Sequence, residues 1–123
     1  MKGKWRRFWY VAFLVIAWPV LAHHSFANYD MGTTVELEGV IDTVKFRNPH
    51  MTLTFRTKSA AGVEKTVNFE SGPANMLVRL GLTPAMIQPG TKIKAIVSPK
   101  RDGPDDFFLK AVVLQDGTRY QIL

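Results

Sequence analysis

From Thr33 onward, apolar and polar residues alternate with a period of two, and Gly, Pro and Asx residues punctuate the runs. That pattern predicts strands more than helices. The first run, Thr33 to Arg47, is long and changes phase: Val35 and Leu37 share one parity, whereas Val40, Val44 and Phe46 take the other, with Gly39 between them. A bulge or strong bend at Gly39 would let one strand serve two sides of a curled sheet. Asn48-Pro49-His50 reads as a turn, and Met51, Leu53 and Phe55 form a second alternating run. Ala61-Gly62 then turns the chain into a third run from Glu64 to Glu70, which carries Val67 and Phe69.

Between Pro73 and Leu80 the period lengthens. Met76, Leu77 and Leu80 follow three-to-four spacing behind an early proline and are closed by Gly81, the signature of a short amphipathic helix. Thr83 to Met86 adds one more turn before Pro89-Gly90. Two further strands, Thr91 to Ser98 and Phe107 to Gln115, flank the polar loop from Pro99 to Asp106. Asp116-Gly117 is a hairpin turn leading to a last short strand, Thr118 to Leu123. A three-strand meander, a short helix between strands 3 and 4, two more strands and a terminal arm predict a mainly β fold. The closest architecture is a small OB-fold-like Greek-key barrel.

The residues before this domain differ in kind. Lys2, Lys4, Arg6 and Arg7 precede an uncharged apolar stretch from Phe8, Pro19 interrupts it, and Val20-Leu21-Ala22 presents small residues to a signal peptidase. The run is shorter than the roughly 20 residues of a spanning helix, so a cleaved signal peptide is favoured over a retained anchor. The expected organisation is therefore a signal peptide over 1–22 and a single domain over 23–123. The destination is the periplasm or the exterior, with no membrane association after cleavage. Composition changes meaning accordingly. The formal charge of the whole chain is +6, but four of the 16 Lys/Arg and none of the 10 Asp/Glu lie before residue 23. The domain itself is left with twelve cations against ten anions, which is no footprint for nucleic acid. Cysteine is absent, so disulfide stapling is impossible.

Cleavage after Ala22 would make His23 the first residue, giving it a free α-amine beside its imidazole. An amine of reference pKa about 7.7–8.0 yields its proton to a metal near neutral pH. Amine and Nδ1 can then chelate one ion, and a second imidazole completes a T-shaped set of three nitrogens that suits Cu(II). This arrangement is similar to the histidine brace of copper-binding secreted proteins. The three histidines of the chain are His23, His24 and His50. His50, in the first turn, is the expected second imidazole. His24 joins only if the backbone kinks, because neighbouring side chains of an extended chain diverge. Met31 and Met51 are soft donors for Cu(I), although methionine more often fills cores.

Other constellations are weaker. Ser25 beside His24 lacks the strand-turn-helix elbow of a nucleophile. Glu36 and Glu38 share one parity of the first strand and read as a solvated face. Asp102, Asp105 and Asp106 crowd one loop without the spacing of a calcium loop, so they read as a polar turn. Tyr29, Phe46 and Phe55 offer either a stacking surface or core.

Across the whole domain the sequence resembles a family of small exported bacterial proteins known only as a domain of unknown function. The matching residues are His23 to Ala27 followed by Asp30; Leu37, Gly39 and Ile41; Phe46 with Asn48-Pro49-His50; Glu70, Pro73, Asn75, Leu77, Arg79 and Gly81; and the later Pro89-Gly90, Asp102-Gly103 and Asp116-Gly117. Phe46 and Leu82 stand where tryptophan is expected, and Gly72-Pro73-Ala74-Asn75 replaces a Ser-Pro-Asn order. These departures argue against an indole-lined pocket and leave the histidines untouched. The resemblance implies export and a shared site, but no activity.

Three functions compete on the sequence. The favoured one is an exported binding protein that holds copper through His23 and His50, with His24 in reserve. The alternative is a metal-independent module that binds a periplasmic protein, peptide or glycan. An oxidative copper enzyme is disfavoured, because so small a domain has little flat area for gripping a polymer.

Overall fold

β-Branched and aromatic residues at alternate positions build six strands within residues 26–123, the part of the chain that the computed structural model describes. They are β1 (Val35–Lys45), β2 (Thr52–Lys58), β3 (Glu64–Glu70), β4 (Lys92–Pro99), β5 (Asp106–Val113) and β6 (Arg119–Gln121). The short helix α1 (Ala74–Arg79) and a single 3-10 turn (Pro84–Ile87) lie between β3 and β4. The candidate signal segment and the residues His23, His24 and Ser25 lie outside the described residues.

β1 pairs antiparallel with both β2 and β4, β2 with β3, and β4 with β5. A short parallel pairing of Asn68–Glu70 with Asp106–Phe108 joins β3 to β5 and closes the sheet into a five-stranded barrel. β6 is an arm on the far half of β5. This is the OB-like Greek-key order expected from the sequence. Closure consumes the backbone edges that would otherwise invite another strand.

The inward residues of the strands, among them Ile41, Met51, Phe55, Phe69 and Leu109, form one core, and Leu77, Leu82 and Ile87 from the helical connection join it. The helix stops where the sequence says it must. Leu82 N–H donates to Leu77 O and Gly81 N–H to Val78 O, and Gly81 takes φ +93°, a conformation glycine adopts without strain. That reversal turns Leu82 back into the core, where it is fully buried.

The phase change of β1 falls elsewhere than Gly39. Pairing with β2 slips between Ile41 and Thr43, and Ile41, completely buried, keeps the parity of Val35 and Leu37. Asp42 is the extra residue, after which Val44 and Phe46 face inward on the opposite parity. Gly39 has a different role. It pairs with Ile93 on one side and Thr57 on the other, and a Cβ there would collide with the Arg56 carbonyl oxygen. Glycine is needed for close strand approach, while the bulge itself needs only an extra residue.

Candidate functional site

The outer face of the barrel at the β3–β5 junction gathers the titratable groups that matter here. In β2, Met51, Leu53 and Phe55 point inward, so Thr52 and Thr54 point out, and His50 extends the outward row. In β3, Val67 and Phe69 point inward and Asn68 and Glu70 outward. Thr52 is the register partner of Glu70, which makes His50 its diagonal neighbour. The His50 Nδ1 lies 3.3 Å from Glu70 Oε1, with the two side chains 43 % and 28 % exposed.

The other oxygen of that carboxylate has its own partner. Tyr29, 5 % exposed, donates its hydroxyl to Glu70 Oε2 at 2.9 Å. Burial raises the phenol pKa well above its ordinary value, reinforced by the hydrogen bond and negative charge of Glu70 and by the charge of Asp106. Tyr29 is held in place by backbone and ring contacts together. Asp30 N–H donates to Pro99 O at 2.8 Å and Arg101 N–H to Asn28 O at 2.9 Å, so residues 28–30 run as a short extra rung beside the end of β4. The Phe108 ring lies against the rings of Phe26 and Tyr29, at centroid distances of 5.3 and 5.6 Å, both edge-on. Phe107, of opposite parity, packs inward on Phe69. Residues 26–30 therefore cover Phe108 from outside and form a small second apolar cluster, with Glu70, the partner of Phe108 across the parallel pair, at its margin.

A polar cleft of about 400 Å³ adjoins this cluster, lined in part by Tyr29, Thr52, Thr54, Asn68, Glu70 and Lys100. Asn68 Nδ2 donates to Asp106 Oδ1 at 2.9 Å, and Lys100 Nζ lies 3.9 Å from Asp106 Oδ2. A larger groove of about 870 Å³ runs over β1, β4 and the ends of β2 and β5; neither lining includes a histidine.

The residues singled out in the sequence separate accordingly. His50 is on the surface, turned toward Glu70, whereas His23 and His24 lie outside the described residues. Among the described residues no three His, Asp or Glu side chains are close enough to hold a metal ion. A complete donor set around His50 would have to draw on residues before Phe26. Met51 is fully buried in the core and offers no sulfur to a surface ion. Phe55 is fully buried, Phe46 packs against the core and Tyr29 is covered, so the three form no stacking platform. Asp105 pairs with Lys65 at 2.5 Å and Asp106 with Asn68, as a polar turn would. Glu36 and Glu38 both approach Lys94 on an exposed face. Glu70 and the Tyr29 hydroxyl were not legible as site residues. Their signal was the shared outward parity of His50 and Glu70, which acquires meaning only once the strand register is known.

No curated protein and no solved structure matches the chain. A family model does, over residues 12–107, spanning the region that carries Tyr29, His50, Glu70 and the barrel up to the start of β5. The chain thus belongs to the family of unknown function DUF6152.

Proposed function

We propose that the protein is an exported periplasmic binding protein that holds a single Cu(II) ion through a histidine brace. The α-amine and Nδ1 of His23 would chelate the ion after signal cleavage, His50 would supply the third nitrogen through Nε2, and His24 would stand in reserve. The observation that carries this reading is the Tyr29–Glu70–His50 chain. An imidazole whose inner nitrogen faces a carboxylate, leaving the outer one to solvent, is arranged as metal-ligating histidines commonly are. Chain geometry agrees with it. Phe26 is seated on Phe108, across the strand pair from Glu70, and His23 precedes it by three residues, a reach of about 10 Å. Binding in this form fits storage, delivery or sensing of the ion.

The test compares mature protein beginning at His23 with a form carrying one additional N-terminal residue. Competition against a chelator of known affinity should give one tightly held Cu(II) in the first, and binding at least about a hundredfold weaker in the second, because the added residue acylates the amine. Equal affinities would remove the brace.

A second reading rests on the polar cleft beside the same carboxylate, on the face and beside the loops that OB-like barrels use for ligands. In that case the protein binds a periplasmic peptide, glycan or protein partner without metal. Retention of such a partner by a His50→Ala variant that takes up no copper would favour it.

A further inference from the structure

His50 can offer Nε2 to a ligand only if the neutral ring carries its proton on Nδ1. An imidazole has two nitrogens, and a neutral ring protonates one of them; the other is the donor. At His50 the choice is decided by position. Nδ1 faces Glu70 Oε1 at 3.3 Å, a little beyond ordinary hydrogen-bond length. A bare Nδ1 lone pair at that distance would face a carboxylate oxygen, acceptor against acceptor. A proton on Nδ1 turns the contact into an attraction. Glu70 is itself held in place. Its Oε2 receives the Tyr29 hydroxyl at 2.9 Å, and Tyr29 is fixed by the Asp30 and Arg101 backbone bonds and by Phe108. Its backbone is fixed by pairing with Thr52 on one side and Phe108 on the other.

We infer that Glu70 is a positioning residue for His50: it selects the Nδ1–H tautomer and so presents Nε2, with its lone pair, outward as the nitrogen available to a ligand, while Tyr29 holds Glu70 in register. The use of that nitrogen for copper rests on the function proposed above; the tautomer does not. The Tyr29 hydroxyl occupies one carboxylate oxygen and keeps the other turned toward the imidazole. A rotated carboxylate would release the ring. Neither residue touches the ion in this arrangement, so their substitution should alter the aim and strength of the His50 donor while leaving the ligand set intact.

Two measurements on the mature protein separate the inference from the copper reading. The first needs no metal. Long-range nitrogen–proton correlation spectra of ¹⁵N-histidine-labelled protein, at a pH where the rings are neutral, should show His50 protonated at Nδ1. In Glu70→Ala the same ring should move toward the Nε2–H form that unconstrained histidine favours, and Tyr29→Phe should move it part of the way. A wild-type ring already protonated at Nε2 overturns the inference, as does a tautomer unchanged in Glu70→Ala. Amide spectra of each variant report whether the barrel is intact, and Tyr29→Phe, which removes one oxygen atom, supplies the answer if Glu70→Ala does not fold. The second measurement is Cu(II) affinity. Glu70→Ala should weaken it by about ten- to a hundredfold, with altered nitrogen hyperfine structure in the electron paramagnetic resonance spectrum. Unchanged affinity and spectrum overturn the positioning role. A wild-type protein that binds no copper overturns the metal reading instead, and the nitrogen spectra still decide whether Glu70 sets the ring.

Discussion

At the β3–β5 junction Glu70 lies between a buried phenol and a half-exposed imidazole, and the segment carrying the phenol is tied to the backbone of residues 99–101. On the β1–β4 face, Glu36 and Glu38 reach the same Lys94 across 3.8 and 3.5 Å, with side chains 62 % and 78 % exposed. Both regions are polar surface on one barrel, and the second has the larger groove. They differ in desolvation. Exposed ion pairs gain little, because water screens them and long side chains lose freedom. At the junction, residues 26–30 shut water away from one side of the carboxylate, so its hydrogen bonds are worth more and orientation is retained. Charge count and groove volume therefore favour one side of the barrel, and covered polar groups the other.

The contrast is most severely tested by Phe108→Ala. Removing the ring that Phe26 and Tyr29 rest on should destabilise the protein by about 3–5 kcal/mol in urea unfolding, the usual cost of emptying a buried aromatic site. A loss below about 1 kcal/mol would mean that the outer cluster is decoration, with no role in holding the junction. Gly39→Ala comes next. A side chain there meets backbone, and a cost of about 3 kcal/mol is expected because the Arg56 carbonyl must move.

Tyr29→Phe should cost about 1.5 kcal/mol at neutral pH, the low end for a hydrogen bond to a charged group. It also sharpens the comparison through pH. The phenol pKa is raised in the folded state, so the stability it contributes is fully present below the unfolded value of about 10 and is lost as pH rises beyond it. Urea midpoints of the wild type should fall above pH ~10, and part of that slope should vanish in the variant. Parallel pH profiles would show that the Tyr29 phenol does not carry a raised pKa in the folded state. The smallest effect belongs to Lys94→Ala, expected to remain under about 1 kcal/mol and to shrink further in salt.

Much of the barrel could be read from local pattern. The third strand, the helix and its stop at Gly81, and the Asp116-Gly117 turn occupy the expected positions, since period, proline placement and positive-φ glycine are properties of short segments. The bulge lies three residues beyond Gly39, because a glycine attracts that assignment while the slip at Asp42 is visible only against β2. The sequence presents Tyr29 as a ring for stacking or core, whereas the structure uses its hydroxyl, and nothing near it in sequence foretells a bond to a residue 41 positions away.

Alternation by itself determined which residues of most strands face inward, and hence a small β-barrel with one helix and His50 in its first turn. Only the tertiary structure decided who His50's neighbour is. Facing is a consequence of the backbone of one strand, whereas the meeting of His50, Glu70 and Tyr29 depends on hairpin register, on the parallel β3–β5 seam and on an N-terminal rung laid beside β4. Those are pairings between distant segments, selected by what the closed barrel can bury, and no single segment encodes them.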